Sequence, residues 1–264
     1  MENFLLPSKV EFQPGETELT GSLVITPCYH GYGTTLGNAL RRVLLSSLSG
    51  GAVEAFKIKG VQHEFGAVEG VQEDVVEIML NLKQLAVKVY GDESVTLTLT
   101  KKGPGPVTGA DIDQNSDAEV VNKDMVICNL TSNKTLEMEI IVGKGRGFLP
   151  VEEKDKKNYP LGTIVTDSVY TPVKDVGYRV EYTRVGDITN YEKLTVNIET
   201  NGTLSPKEAV QQSVKILIDH FSIVLSSVAS TQPENVAQEP EAALEETDEE
   251  VSEEKPKKKA SKKK

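Results

Sequence analysis

Apolar residues recur along this chain in two rhythms, a helical one and an alternating one, and the switches between them mark out the elements. Leu36, Leu40, Val43, Leu44 and Ser47 repeat at helical spacing, which predicts a helix over residues 35–48 capped by Thr34 or Thr35 and ended by Gly50 and Gly51. A strand is predicted before it over residues 18–26. After it residues 52–59 alternate, turning Val53, Ala55 and Ile58 toward a core. Residues 70–85 read as a second helix, with Val71, Val75, Ile78, Met79 and Leu82 on one side and Gln72, Glu73, Asp74 and Glu77 outside. From there β-branched residues between turn formers predict strands over 86–90, 95–100, 125–130 and 136–142. The glycines from Gly143 to Gly147 read as a flexible connection, and 152–157 as a mobile charged loop.

Two late strands, 178–185 and 194–200, run into the turn signal Asn201-Gly202. Ser205, Pro206 and Glu208 then form a capping box that opens the last helix. Along it Val210, Val214, Leu217, Phe221, Val224 and Val228 step by four and three, a coiled-coil-like seam flanked by Ile216, Ile218, Ile223 and Leu225. A face that wide suits its own sheet and a second chain together, although two helices of one chain packing on each other would use the same pattern.

Composition narrows the chemistry. Hydrophobic residues make up 38% of the 264, and no apolar segment is long enough to span a bilayer. The start, through Pro7, has neither the basic region nor the apolar stretch of an export signal, so a cytoplasmic protein is expected. Cys28 and Cys128 are too few for a disulfide framework or a thiolate metal site, and His30, His63 and His220 are scattered, so no metal is expected. Nothing indicates a small-molecule cofactor.

The net charge of −11 argues against direct DNA contact by the folded part. Beyond about Ser230 the chain lacks aromatics and separates its charges: residues 231–254 carry acids without a base, and 255–264 lysines without an acid. A disordered tail over 231–264 is expected. Glu73, Asp74 and Glu77 offer a carboxylate cluster, but Asp74 points about 100° away from its neighbour and no catalytic histidine or nucleophile accompanies them. No catalytic residue is assigned.

The glycines before the first helix suggest a phosphate loop, a reading that fails because Gly37 is followed by Asn38 and Ala39 rather than by Lys and Ser or Thr. Within that helix Arg41 and Arg42 lie about 100° apart, so at least one guanidinium leaves the apolar stripe. The whole run, Gly31-Tyr-Gly-Thr-Thr-Leu-Gly-Asn-Ala-Leu-Arg-Arg-Val-Leu-Leu-Ser-Ser47, closely resembles the signature of the bacterial DNA-directed RNA polymerase alpha subunit, in its amino-terminal assembly domain. Further blocks resemble the same family in the same order: Glu69 to Val75 leading into Asn81-Leu-Lys83, Gly105 to Asp111, Gly145 to Phe148, Tyr170 to Val173 and Glu199 to Thr203. They cover about residues 1 to 228.

That resemblance implies an α+β fold: a discontinuous dimerisation domain of sheet plus two long helices, 1–50 and 178–230, with an inserted β-rich domain, 51–177. It implies a homodimer that assembles the beta and beta-prime subunits, with omega and sigma in the complex, and that holds no polymerising residue. Carried over by motif, the dimer contacts are Leu36, Leu40, Val43, Leu44, Val214, Leu217 and Phe221. The beta subunit falls to Gly37, Asn38, Arg42, Glu73 and Asp74, and beta-prime to Lys83, Pro172 and Val173. No counterpart of the family's usual C-terminal DNA-binding domain is expected, because residues 231–264 have neither the length nor the apolar content to fold as one. A free-standing homodimeric binding module is the alternative, differing only in partner.

Overall fold

The computed structural model describes residues 6–113, 115–155, 159–186 and 188–229. The tail expected over 231–264 lies outside the described residues. In chain order the elements are β1 (Lys9–Pro14), β2 (Thr20–Cys28), α1 (Tyr32–Ser46), β3 (Ser49–Ile58), α2 (Val75–Leu82), β4 (Val87–Val89), β5 (Val95–Lys102), β6 (Gly105–Thr108), β7 (Ala118–Val120) and β8 (Val126–Leu130). There follow β9 (Thr135–Arg146), β10 (Phe148–Leu149), β11 (Ile164–Val165), β12 (Ser168–Val169), β13 (Val173–Val185), β14 (Ile188–Thr200) and α3 (Pro206–Ala229). The architecture is α+β. Residues through Val224 form one compact unit, and the last helical residues of α3, from Leu225, fall outside it.

Two antiparallel sheets carry the unit. The first has the order β1-β2-β14-β13, so strands near the start of the chain pair with strands near residue 200, Thr20 facing Glu199. α1 lies on β13 and β14. Between them Leu23, Leu40, Leu44, Leu48, Leu194, Val196 and Ile198 form one core. The second sheet runs β5-β9-β3-β4-β7, with β11 added against β3. α2 and the strand β8 close a separate core over it, in which Phe56, Ile78, Leu82, Leu99, Ile127 and Ile140 are buried. Strand alternation explains both cores, because every second residue of β9 and β14 turns inward.

Several boundaries differ from the sequence reading, each for a local reason. Gly50 and Gly51 do not end α1; they sit inside β3, where a Cβ would meet the Tyr170 carbonyl at 2.0 Å and the Val87 carbonyl at 2.4 Å. Across from them the glycine run is no flexible loop, because Gly143 and Gly145 extend β9 to Arg146 and pair with Ala52 and Gly50. The second helix is only Val75–Leu82. Asp74 caps it by accepting the Glu77 amide at 2.7 Å, and the chain before it stays irregular through Gly70, whose φ of +90° is left-handed. The capping box of α3 is present, with the Ser205 amide donating to the Glu208 carboxylate at 3.1 Å and the Glu208 amide to Ser205 Oγ at 3.3 Å.

α1 sits so close to its sheet that two glycines form the contact. A Cβ on Gly33 would lie 2.9 Å from Val180, and one on Gly37 would lie 2.7 Å from the Tyr178 ring and 3.0 Å from Leu194. The ring atoms near the Tyr178 Cβ have little room to yield. Gly37→Val is therefore expected to lower unfolding stability by about 2 kcal/mol or more, because overpacking outweighs the small gain in helix propensity over glycine. The same change at the exposed neighbour, Asn38→Val, should stay within about 0.5 kcal/mol. Urea unfolding followed by circular dichroism compares the two.

Candidate functional site

The face most suited to a partner is the outer side of α1, and its orientation is set from below. The helix begins three residues earlier than its apolar stripe predicts, at Tyr32, because neither Thr34 nor Thr35 caps it. Gly31 stands at the N-cap with φ +83°, a left-handed conformation, and supplies no side chain. The free amides of the first turn instead reach across to β14. Both carboxylate oxygens of Glu192 are used, one accepting the Gly31 N–H and the other the Gly33 N–H, each at 2.9 Å. Glu192 is 6% exposed, and its negative charge lies at the positive end of the helix dipole. His30 Nδ1 stands 3.6 Å from the same carboxylate. Around the entry Tyr29 meets Tyr32 and Tyr191 edge-on, with ring centres 6.3 and 6.4 Å apart.

Glu192 was not among the residues singled out from sequence, yet a signal for it exists. It occupies the inward register of β14 together with Leu194, Val196 and Ile198, so a carboxylate stands where strand alternation calls for an apolar residue. Its partners Gly31 and Gly33 lie 161 and 159 positions earlier in the chain.

With Gly33, Gly37, Leu40 and Leu44 turned to the sheet, Thr34, Asn38, Arg41 and Arg42 are exposed. Neither arginine has an ion-pair partner among the described residues. Two guanidiniums thus stand on a rigid helix with their planar donor forks unspent, a geometry suited to carboxylates or carbonyls of another chain. Gly37, placed with the beta contacts by resemblance, lies instead on the buried side, where it admits the helix to its seat.

The other expected site residues divide between surface and interior. Leu40 and Leu44, expected at a dimer interface, are buried in the chain's own core; Leu36 and Leu217 pack partly against the same core. Val43 is half-buried. Val214 is 37% exposed and Phe221 68%, and Ile218 and Val224 are exposed beside them, whereas Ala209 and Ser213 form the buried side of α3.

Glu73 and Asp74 have local duties. Glu73 accepts the Asn129 backbone N–H and side-chain amide, both at 2.7 Å, which ties the loop before α2 to β8, and Asp74 is the α2 cap. Burial, and secondarily the charge of Glu73, pushes the Cys128 thiol up to about 12; burial likewise raises Cys28. Lys83 pairs with Asp167 at 2.7 Å, an arrangement that holds the Asp167 carboxyl below its usual range through their hydrogen bond. Pro172 and Val173 are buried, so they lie under the surface next to β13 rather than on it.

Among the described residues no group of three His, Cys, Asp or Glu is placed to hold a metal ion, and no helix is long and apolar enough to cross a membrane.

Comparisons with known proteins agree with the signature on α1. Residues 56–171 match the family described as the RNA polymerase Rpb3/RpoA insert domain. Two DNA-directed RNA polymerase alpha subunits of Clostridium botulinum, from strain Eklund 17B and strain Alaska E43, are each 50% identical to this chain over 211 residues, covering 80% of it and 67% of their own length. A likeness of that depth shows that the chain belongs to the family of DNA-directed RNA polymerase alpha subunits.

Proposed function

We propose that this chain is the homodimeric scaffold on which the beta and beta-prime subunits of the polymerase assemble, in the cytoplasm, and that the nucleotidyltransferase chemistry belongs to the complex rather than to this subunit. The observation that carries the reading is the exposed arginine face of α1, without an ion-pair partner among the described residues and seated by Glu192 and the glycines. The exposed Val214, Ile218, Phe221 and Val224 give α3 an apolar face that a second copy would cover. In this reading residues 1–50 and 178–230 form the dimerisation domain, which the pairing of β2 with β14 supports, and residues 51–177 the inserted β-rich domain.

Arg42 receives the beta subunit, with Asn38 alongside. Glu73 and Asp74 act on that contact by shaping the loop before α2. Lys83, with Pro172 and Val173 beneath it, belongs to the beta-prime side.

Two results are expected. Sedimentation at micromolar concentration should give a dimer, and Phe221→Ser should shift it toward monomer; a chain that sediments only as a monomer contradicts the dimer. Arg42→Ala should leave the dimer intact and weaken capture of purified beta subunit at least tenfold, about 1.4 kcal/mol, because a desolvated guanidinium is lost. Unchanged capture would mean that the arginine is merely solvated, and capture of other proteins in place of beta would favour a free-standing binding module.

A further inference from the structure

The segment after β10 reads in sequence as a mobile charged loop, yet one of its lysines is an interior residue. Lys154 is 8% exposed. Its ammonium donates to the Glu54 carbonyl at 3.0 Å, the Thr166 carbonyl at 2.6 Å and Ser168 Oγ at 2.6 Å, which uses all three of its N–H groups. Ser168 Oγ passes the connection on by donating to the Val53 carbonyl at 2.7 Å. One side chain thereby fastens the turn Val151–Glu153, the residues around β12 and the middle of β3 to one another.

The surrounding charges are arranged for a cation. Burial holds the Lys154 amine below the ordinary lysine range, and the carboxylates of Glu54 and Asp167 oppose that effect, while Lys83 adds to it. Glu54 is fixed in turn by the Tyr170 hydroxyl at 2.8 Å and Ser94 Oγ at 2.9 Å. Asp167 accepts the Val151 N–H at 3.0 Å and pairs with Lys83 at the end of α2. The network therefore runs from β3 through Lys154 to the residue that anchors Lys83.

The segment's own strands are short. β10, β11 and β12 have two residues each, far short of an independently stable ladder. On its outer side Phe148 and Val169 face each other across the β10–β12 pair and are 59% and 50% exposed. An apolar residue at position 154 would avoid the desolvation of a buried charge. Only the directional bonds of an ammonium fix all three acceptors in one arrangement.

We propose that Lys154 is a positioning residue for the beta-prime contact: its buried ammonium latches residues 148–155 and 164–170 across β3 and so sets the Lys83–Asp167 pair and the exposed Phe148–Val169 pair in the geometry that the larger subunit meets. The inference rests on the assembly role proposed above.

Lys154→Met in the full chain keeps the length of the side chain and removes its donors. Amide hydrogen exchange is expected to rise at least tenfold in peptides from 148–155 and 159–170, with α1 and β14 unchanged. Capture of purified beta-prime by the preformed alpha–beta assembly should fall at least tenfold, with capture of beta unaltered. Unchanged exchange in those peptides overturns the latch, and an equal loss of both subunits overturns the positioning role in favour of general destabilisation.

Should the variant fail to fold, the wild-type chain decides. Under a small amine-acylating reagent followed by mass spectrometry, Lys154 should react at least tenfold more slowly than the exposed Lys102, and equal rates overturn the proposal. A wild-type chain that captures no beta-prime overturns the assembly reading and the positioning role with it. Normal wild-type capture with a failed Lys154 arm overturns Lys154 alone.

Discussion

A helix laid on a sheet has to satisfy its first free amides, and α1 does so with a carboxylate from β14 rather than with a side chain of its own. Glu192 holds Gly31 and Gly33 while Gly33 and Gly37 let the helix axis approach the sheet more closely than any side chain would allow. These constraints act together, because the close approach brings the amides within reach of a buried carboxylate and the carboxylate fixes the rotation of the helix about its axis. With rotation fixed, the glycine, leucine and arginine positions are assigned to inside and outside at once. Everything that α1 offers a partner follows from that seat.

Close backbone approaches through glycine set the way the chain passes from α1 into the second sheet. β3 leaves the end of α1 and enters the second sheet directly, with Gly50 and Gly51 lying where the Tyr170 and Val87 carbonyls leave no room for a Cβ. A Cβ on Gly145 of β9 would likewise meet the Tyr170 ring, at 2.8 Å. Tyr170 therefore packs against two glycine-bearing strands while its hydroxyl reaches Glu54, and a buried lysine secures the residues just before it. Glycine here serves close approach more than turn formation.

The helical and alternating rhythms made most elements legible, since burial of one face is the force that creates those rhythms. The capping box at Ser205 and the inward set of β14 follow directly from local residue types. Long-range contacts left weaker traces. Gly50, Gly51, Gly143 and Gly145 resemble loop residues in a one-dimensional reading because the carbonyls and rings that require them come from distant parts of the chain. Leu40 and Leu44 belong to a helical stripe that does not say which sheet or subunit it covers. Glu192 and Lys154 are charged residues held mainly by backbone groups, and sequence records no partner of that kind. The family signature could be read because those same geometric demands fall on one uninterrupted helix.

The most direct measurement is residue-resolved amide hydrogen exchange of the full chain compared with Glu192→Gln. The side-chain amide cannot offer two anionic oxygens to Gly31 and Gly33, so protection should fall sharply from Gly31 to Gly37 while β2 and β14 keep theirs. Equal protection of that first turn in both proteins would contradict the account, since α1 would then be seated without the carboxylate.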